Sequence, residues 1–238
     1  MPGVDFMSQT QIPIEVDQLI TEDDTPVDNF PSEKQQRLLT EPLYSSWQGP
    51  GEGRTFLAAA NVGVFSSVHL PPIVPDVFVS LDVEIAADWW AKAHRSYFFW
   101  EFGKAPDVVI EIVSNKEGQE NSEKLRRYER MAVPYYVIFD PIKQIQSQIL
   151  TIYELHVGTY QVHVEAQLPT LHLGLTLWQG SFEHKHDTWL RWCDEHGQLI
   201  LTGQERAEQE HLKAEQERQR AERLAAKLRA LGEDPDQL

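Results

Sequence analysis

One short run constrains this chain more than any other. Asp107-Val108-Val109-Ile110-Glu111-Ile112-Val113-Ser114 is rich in β-branched residues and reads as a buried strand, yet Glu111 sets a carboxylate in its middle. Burying an unpaired carboxylate costs several kcal/mol or forces its protonation, so Glu111 needs a cation, a metal or a proton as partner. Strand alternation puts Asp107, Val109, Glu111 and Val113 on one face and Val108, Ile110 and Ile112 on the other.

The surrounding order of elements fixes the fold class. Apolar, β-favouring runs occupy Asn61 to Leu70, Asp76 to Val83, Tyr97 to Phe102 and Asp107 to Ser114. A helical stretch from Glu117 to Ala132 then leads to a strand at Tyr135 to Asp140, and Leu150 to Val157 with Tyr160 to Ala166 forms a hairpin around Gly158 and Thr159. Strand, helix, strand about a central apolar strand predicts an α/β protein, a mixed sheet flanked by helices. A short helix is expected from Glu33 to Leu43. The loop at residues 48 to 54 lacks the Gly-Lys-Ser/Thr ending of a phosphate cradle and reads as a connection.

Three segments are expected. Residues 1–30 form an acidic, proline-broken arm, residues 31–202 the main domain, and residues 203–238 a charged helical tail without Gly or Pro between Gly203 and Gly232. The seam of that tail, Ala207, His211, Ala214, Arg218, Ala221, Ala225 and Leu228, is mostly small or polar. A solvated helix tied down by Leu224, Leu228 and Leu231 and a self-associating one remain equally open, as does a homo-oligomer formed through the core.

Composition narrows the function classes. No stretch approaches the ~18 consecutive apolar residues of a membrane span. The single cysteine, Cys193, and a first segment without a basic, apolar leader are expected of a cytoplasmic protein. The net charge of -16 counts against a general nucleic-acid coat, because non-specific affinity comes from Lys and Arg on phosphates. Much of the excess is local: Asp5, Glu15, Asp17, Glu22, Asp23, Asp24, Asp28 and Glu33 stand in the first 33 residues without a Lys or Arg among them.

Two further residues make Glu111 chemically interesting. The strand that starts Pro75-Asp76-Val77 begins with an acid, and pairing of the two strands would bring Asp76 and Glu111 to one sheet edge. Their mutual repulsion is the kind that Mg²⁺ resolves. On the following helix Leu125, Tyr128, Met131 and Ala132 define the core face, and Lys124 borders it, within reach of the acids from the flank. Two acids and a lysine are what metal-assisted phosphodiester hydrolysis uses.

The combination Pro75-Asp76, Pro106-Asp107-Val-Val-Ile-Glu111-Ile-Val-Ser114, Glu120-x-x-x-Lys124-x-x-x-Tyr128 and Ala132-Val133-Pro134-x-Tyr136-x-x-x-Asp140-Pro141 resembles a restriction endonuclease family abundant as uncharacterised bacterial paralogues. That family is similar to the PD-(D/E)xK nuclease superfamily, and the resemblance spans roughly residues 60 to 180. It implies a restriction-endonuclease-like core with a C-terminal helical tail, and a metal-dependent hydrolase acting on DNA. It also implies Asp76 and Glu111 as metal-binding acids, the peptide carbonyl of Ile112 as a further metal ligand, and Mg²⁺, with Mn²⁺ as a substitute, as the cofactor. Val113 stands where the superfamily has its lysine, and Lys124 matches the position to which this family has moved it. Glu120 and Tyr135 stand where many members have aspartate and glutamate.

Each residue also has a structural reading. Glu111 can be a satisfied ion pair with Lys124, Asp76 a turn cap after Pro75, and Lys124 an exposed partner of Glu120. The competing function is a non-catalytic interaction or assembly module on the same fold. A nuclease needs local positive charge, for which Lys116, Arg126, Arg127, Arg130 and Lys143 are the expected supply. His184-Lys-His186-Asp187 reads as a surface loop, and Cys193 as a small apolar packing residue. Trp89, Trp90, Trp178, Trp189 and Trp192 read as packing residues too.

Overall fold

The computed structural model describes residues 29–47, 49–51, 53–114 and 123–231. The calls on residues 1–28, Lys116, Glu120 and the first part of the predicted helix lie outside them. The chain divides into two compact units, residues 1–33 with 53–164, and residues 34–52 with 165–238.

The first unit is built on a mixed six-stranded sheet. Its members are β1 (Phe56–Ala60), β3 (Val77–Leu81), β5 (Val108–Ile112), β6 (Tyr135–Phe139), β7 (Leu150–His156) and β8 (Thr159–His163), adjacent in that order. All pairs are antiparallel except β5 with β6. A parallel pair needs a crossover, and it is here that α3 (Leu125–Arg130) lies. Strands β5 and β6 are buried at every position, as their apolar sequences, broken only by Glu111, require of central strands. The turn between β7 and β8 puts Val157 at φ 50° and Gly158 at φ 80°, the left-handed pair that matches strand twist in a two-residue hairpin.

One face of this sheet carries the core. Phe78, Val109, Val113, Tyr136 and Ile138 pack there with Tyr128 of α3. Two expected strands are shorter than their sequences implied. Between Asn61 and Leu70 only β2 (Val64–Phe65) is extended, and it pairs in parallel with β4 (Tyr97–Phe98). After Phe98 the chain turns into α2 (Phe99–Phe102), closed by Gly103 at φ 73°, a backbone conformation that favours glycine.

The second unit contains most of α1 (Phe30–Ser45), a three-stranded sheet and α4 (Gly203–Ala230). The sheet runs β11 (Lys185–Cys193), β10 (Leu173–Phe182), β9 (Gln167–Leu168). Gln35 binds β11 with both ends of its amide: Nε2 donates to the Leu190 carbonyl at 2.7 Å, and Oε1 accepts from the Leu190 N–H at 3.0 Å. Trp192 donates its indole N–H to the Leu39 carbonyl at 2.7 Å.

The tail helix is anchored differently from expectation. Leu224 and Leu231 are exposed and α4 has no buried residue. Instead, Thr202 and Glu205 form a capping box, and Glu205 takes a two-point bond, at 2.8 and 2.6 Å, from the buried Arg191 guanidinium. No helix among the described residues is long and apolar enough to cross a membrane.

Candidate active site

Strand pairing brings the sequence-predicted acids together. Val77 lies opposite Ile110 and Phe78 opposite Val109, so the register carried one step further sets Asp76, just before β3, opposite Glu111. A bond locks that register, since the Ile112 N–H donates to Asp76 Oδ2 at 2.6 Å. The peptide of Ile112, expected to serve through its carbonyl, therefore also holds Asp76 through its N–H.

Glu111 is completely buried. Lys124 Nζ donates to its Oε2 at 2.8 Å, and the Tyr128 hydroxyl donates to its Oε1 at 2.6 Å. Lys124 occupies a wider, π-type turn at residues 123–124 that leads into α3, and its side chain is 28% exposed against 0% for Glu111. The cation thus touches solvent at one end of the pair while the carboxylate does not. Burial, and after it the Glu111 charge, raises the Tyr128 phenol well above the usual range, so it remains a protonated donor at neutral pH.

Sequence reasoning placed Tyr128 only on the helix core face. The missed signal was the combination of a buried tyrosine, whose hydroxyl needs an acceptor, with a buried glutamate that needs donors one sheet layer away.

Neighbouring acids have other work. Asp107 accepts from the Leu81 N–H at 2.8 Å and pairs with Lys104 at 2.5 Å, closing the entry to β5. Asp140, buried after β6, accepts from the N–H groups of Gln144, Ile145 and Gln146 and folds the following loop. Asp76 and Glu111 face each other across β3 and β5. Among the described residues, no group of three or more His, Cys, Asp or Glu side chains is arranged to hold a metal.

Of the expected cations, Arg126, Arg127 and Arg130 lie on α3, the helix that carries Tyr128 and follows Lys124. Arg126 and Arg130 are exposed, whereas Arg127 donates to the carbonyls of Pro71 and Pro72 and holds that loop. Lys143 is exposed on the loop after β6, whose end adjoins that of β5 through the Ile112 to Phe139 pairing.

The remaining candidates resolve as follows. His184, at φ 64°, sits in the β10–β11 turn and His186 at the exposed start of β11, where it contacts Ser181. Cys193 is buried, with its thiol pushed up by burial. Trp189 and Trp192 are core residues, but Trp89 and Trp90 are 56% and 80% exposed and do not pack as expected. They belong to a segment of turns and one 3₁₀ turn that buries none of its own residues.

A mixed sheet whose central parallel pair is crossed by a helix, with an acid pair and a lysine at one edge, defines the restriction-endonuclease-like class of α/β proteins. The model of the Uma2 family, described as "Putative restriction endonuclease", matches residues 18–181, more than half of the chain. The chain belongs to the Uma2 family. No curated protein and no solved structure matches it.

Proposed function

We propose that the protein is a Mg²⁺-dependent endonuclease that hydrolyses DNA phosphodiester bonds at the Asp76, Glu111 and Lys124 edge. The observation that carries the reading is Glu111 itself: a fully buried carboxylate, opposite Asp76 in register, given a lysine and a tyrosine rather than an apolar neighbour. A purely structural strand position is better filled by another β-branched residue, because a buried ion pair adds little net stability.

The donor set suits Mg²⁺, which is held by one or two carboxylates and completes its shell with water and phosphate oxygens. Asp76, Glu111 and the Ile112 carbonyl would hold the ion, and Mn²⁺ would substitute for it. When bound, the ion lowers the pKa of its water and offsets phosphoryl charge. In the proposed hydrolysis a water attacks phosphorus in line with the leaving oxygen and gives up a proton to solvent, while the P–O bond to the leaving oxygen breaks and that oxygen takes a proton from solvent. Lys124 orients the water or neutralises the charge that builds on the phosphoryl oxygens. Tyr128 fixes the Glu111 carboxylate, and the exposed Arg126 and Arg130 supply positive charge for the backbone.

Incubation of the full chain with supercoiled plasmid tests the reading. Nicked and linear products in Mg²⁺ or Mn²⁺, abolished by EDTA and by Lys124→Ala, are expected. Equal cleavage by wild type and Lys124→Ala would remove the assignment. No cleavage, and no Mn²⁺ binding by wild type, would leave the assembly module.

A further inference from the structure

The first unit holds a cavity of about 340 Å³ lined by the buried Phe78 and Tyr97, by Phe102, and by the exposed Trp89 and Trp90. We infer that this cavity receives a single nucleobase, unstacked from the DNA strand next to the phosphate to be cleaved. The inference rests on the nuclease reading and deepens it by naming the part of the substrate that is bound.

Position is the first argument. Ala59 pairs with Phe78 and Leu57 with Ser80, so these residues share a sheet face with Asp76, which precedes Phe78 by two residues, roughly 7 Å along the strand. Phe78 also belongs to the same apolar cluster as Val109 and Tyr128, the immediate neighbours of Glu111. The cavity lining therefore shares, through Phe78, the sheet face that carries Asp76.

Chemistry is the second argument. The floor is aromatic and rigid: Tyr97 and Phe102 stack at 4.4 Å with an interplanar angle of 8°, and the Tyr97 hydroxyl is fixed to Ser80 at 2.8 Å. Trp89 and Trp90 lie with ring centroids 5.7 Å apart and are largely exposed, a costly arrangement for two indoles unless their faces are used. A base offers a flat π-face to such rings, and its polar edge meets His94, Arg95 and Ser96 in the cavity lining.

Size agrees with this occupant. His94 is held by Asp88 at 2.7 Å, and Lys92 and the exposed Arg95 are the cations of a segment that also exposes Glu84, Asp88 and Glu101. The volume is at the low end of small-ligand pockets and suits one base, not a folded segment of another protein.

Fluorescence anisotropy of a labelled oligothymidylate and of an abasic strand of the same length, in EDTA so that nothing is cut, tests the inference. Wild type is expected to prefer the base-bearing strand. Trp89→Ala and Trp90→Ala should weaken its binding by about 5- to 100-fold, with Trp90→Phe restoring most of the loss. Binding of the abasic strand should stay unchanged, and so should the melting temperature, because both indoles are exposed. Equal binding of both strands by wild type and all variants, alongside Mg²⁺-dependent plasmid cleavage, overturns the base cavity and leaves the nuclease reading intact. Tryptophan-dependent preference without any cleavage supports the cavity and sinks hydrolysis. A wild type that binds neither strand overturns the cavity and leaves the nuclease reading to the plasmid assay. A Trp90→Ala variant altered only in oligomeric state shows that the indoles cover a protein surface and also overturns the cavity.

Discussion

Glu111 receives a hydrogen bond on each oxygen, and its two donors differ in what their loss does. Tyr128 is fully buried, so Tyr128→Phe removes one of the hydrogen-bond donors of the buried Glu111 carboxylate. The expected cost is about 1–3 kcal/mol in urea unfolding, with the acid pair still in place. The phenol also carries a pH signature. Its folded pKa is raised by burial, and after it by the Glu111 charge, so the unfolded chain releases this proton near pH 10 while the folded chain keeps it. The contribution of Tyr128 to stability is complete below about pH 10 and is lost as pH climbs beyond it. Unfolding free energies measured from about pH 8 to about pH 11 should fall with pH in wild type and fall less in Tyr128→Phe. An identical slope in both proteins would place the titrating phenol elsewhere.

At the scale of elements, β5 makes the site by its register and α3 completes it. The loop after β6 is a second control point, because Asp140 accepts three backbone N–H groups there. Asp140→Ala should destabilise the protein by roughly 2–4 kcal/mol in thermal or urea melts, while the folded fraction still binds Mn²⁺. Loss of Mn²⁺ binding at unchanged stability would make Asp140 a ligand instead. The tail is likewise testable. A chain ended after Glu210 retains the capping box and the Arg191–Glu205 pair, and should melt with wild type, since α4 buries nothing. A chain ended before Thr202 strands a buried guanidinium and should lose about 3–5 kcal/mol. Equal melting of both truncations would mean that Arg191 is not held by Glu205.

These elements also show what the sequence discloses. The β5, β6, β7 and β8 strands and α4 carried clear apolar periods or compositions. Glu111 stands out in the sequence because a charge inside a β-branched run needs a partner, whereas Asp76 and Lys124 follow from strand pairing, helix spacing and the family resemblance. Strands β1 and β10–β11 were not legible: the first is three-fifths alanine, and the others interleave Gly, His, Lys and Asp with their apolar positions. The end of β4 at Phe98 was hidden because aromatic residues continue into α2, and only Gly103 marks the stop. The exposure of Trp89 and Trp90 is not legible in the sequence, because indoles are ordinarily buried and only the fold shows how much of these two stays open to solvent.

For the whole molecule, a net charge of -16 restricts how DNA can be approached. Under the proposed nuclease reading, contact with the phosphates near the site would fall to the exposed Arg126, Arg130 and Lys143 and the partly exposed Lys124. The log of DNA affinity against the log of salt concentration should have a slope of about -3 to -4, the value for some four phosphates on duplex DNA. A slope near zero would argue that the acidic surface dominates and that DNA is not the ligand. The most direct test of the central claim is the rate of plasmid strand cleavage in Mg²⁺ by wild type and Glu111→Gln, purified side by side. The account predicts EDTA-sensitive cleavage by wild type and a loss of at least about 100-fold in the variant, which keeps the shape of Glu111 but not its charge. Cleavage at the same rate by both proteins would contradict it.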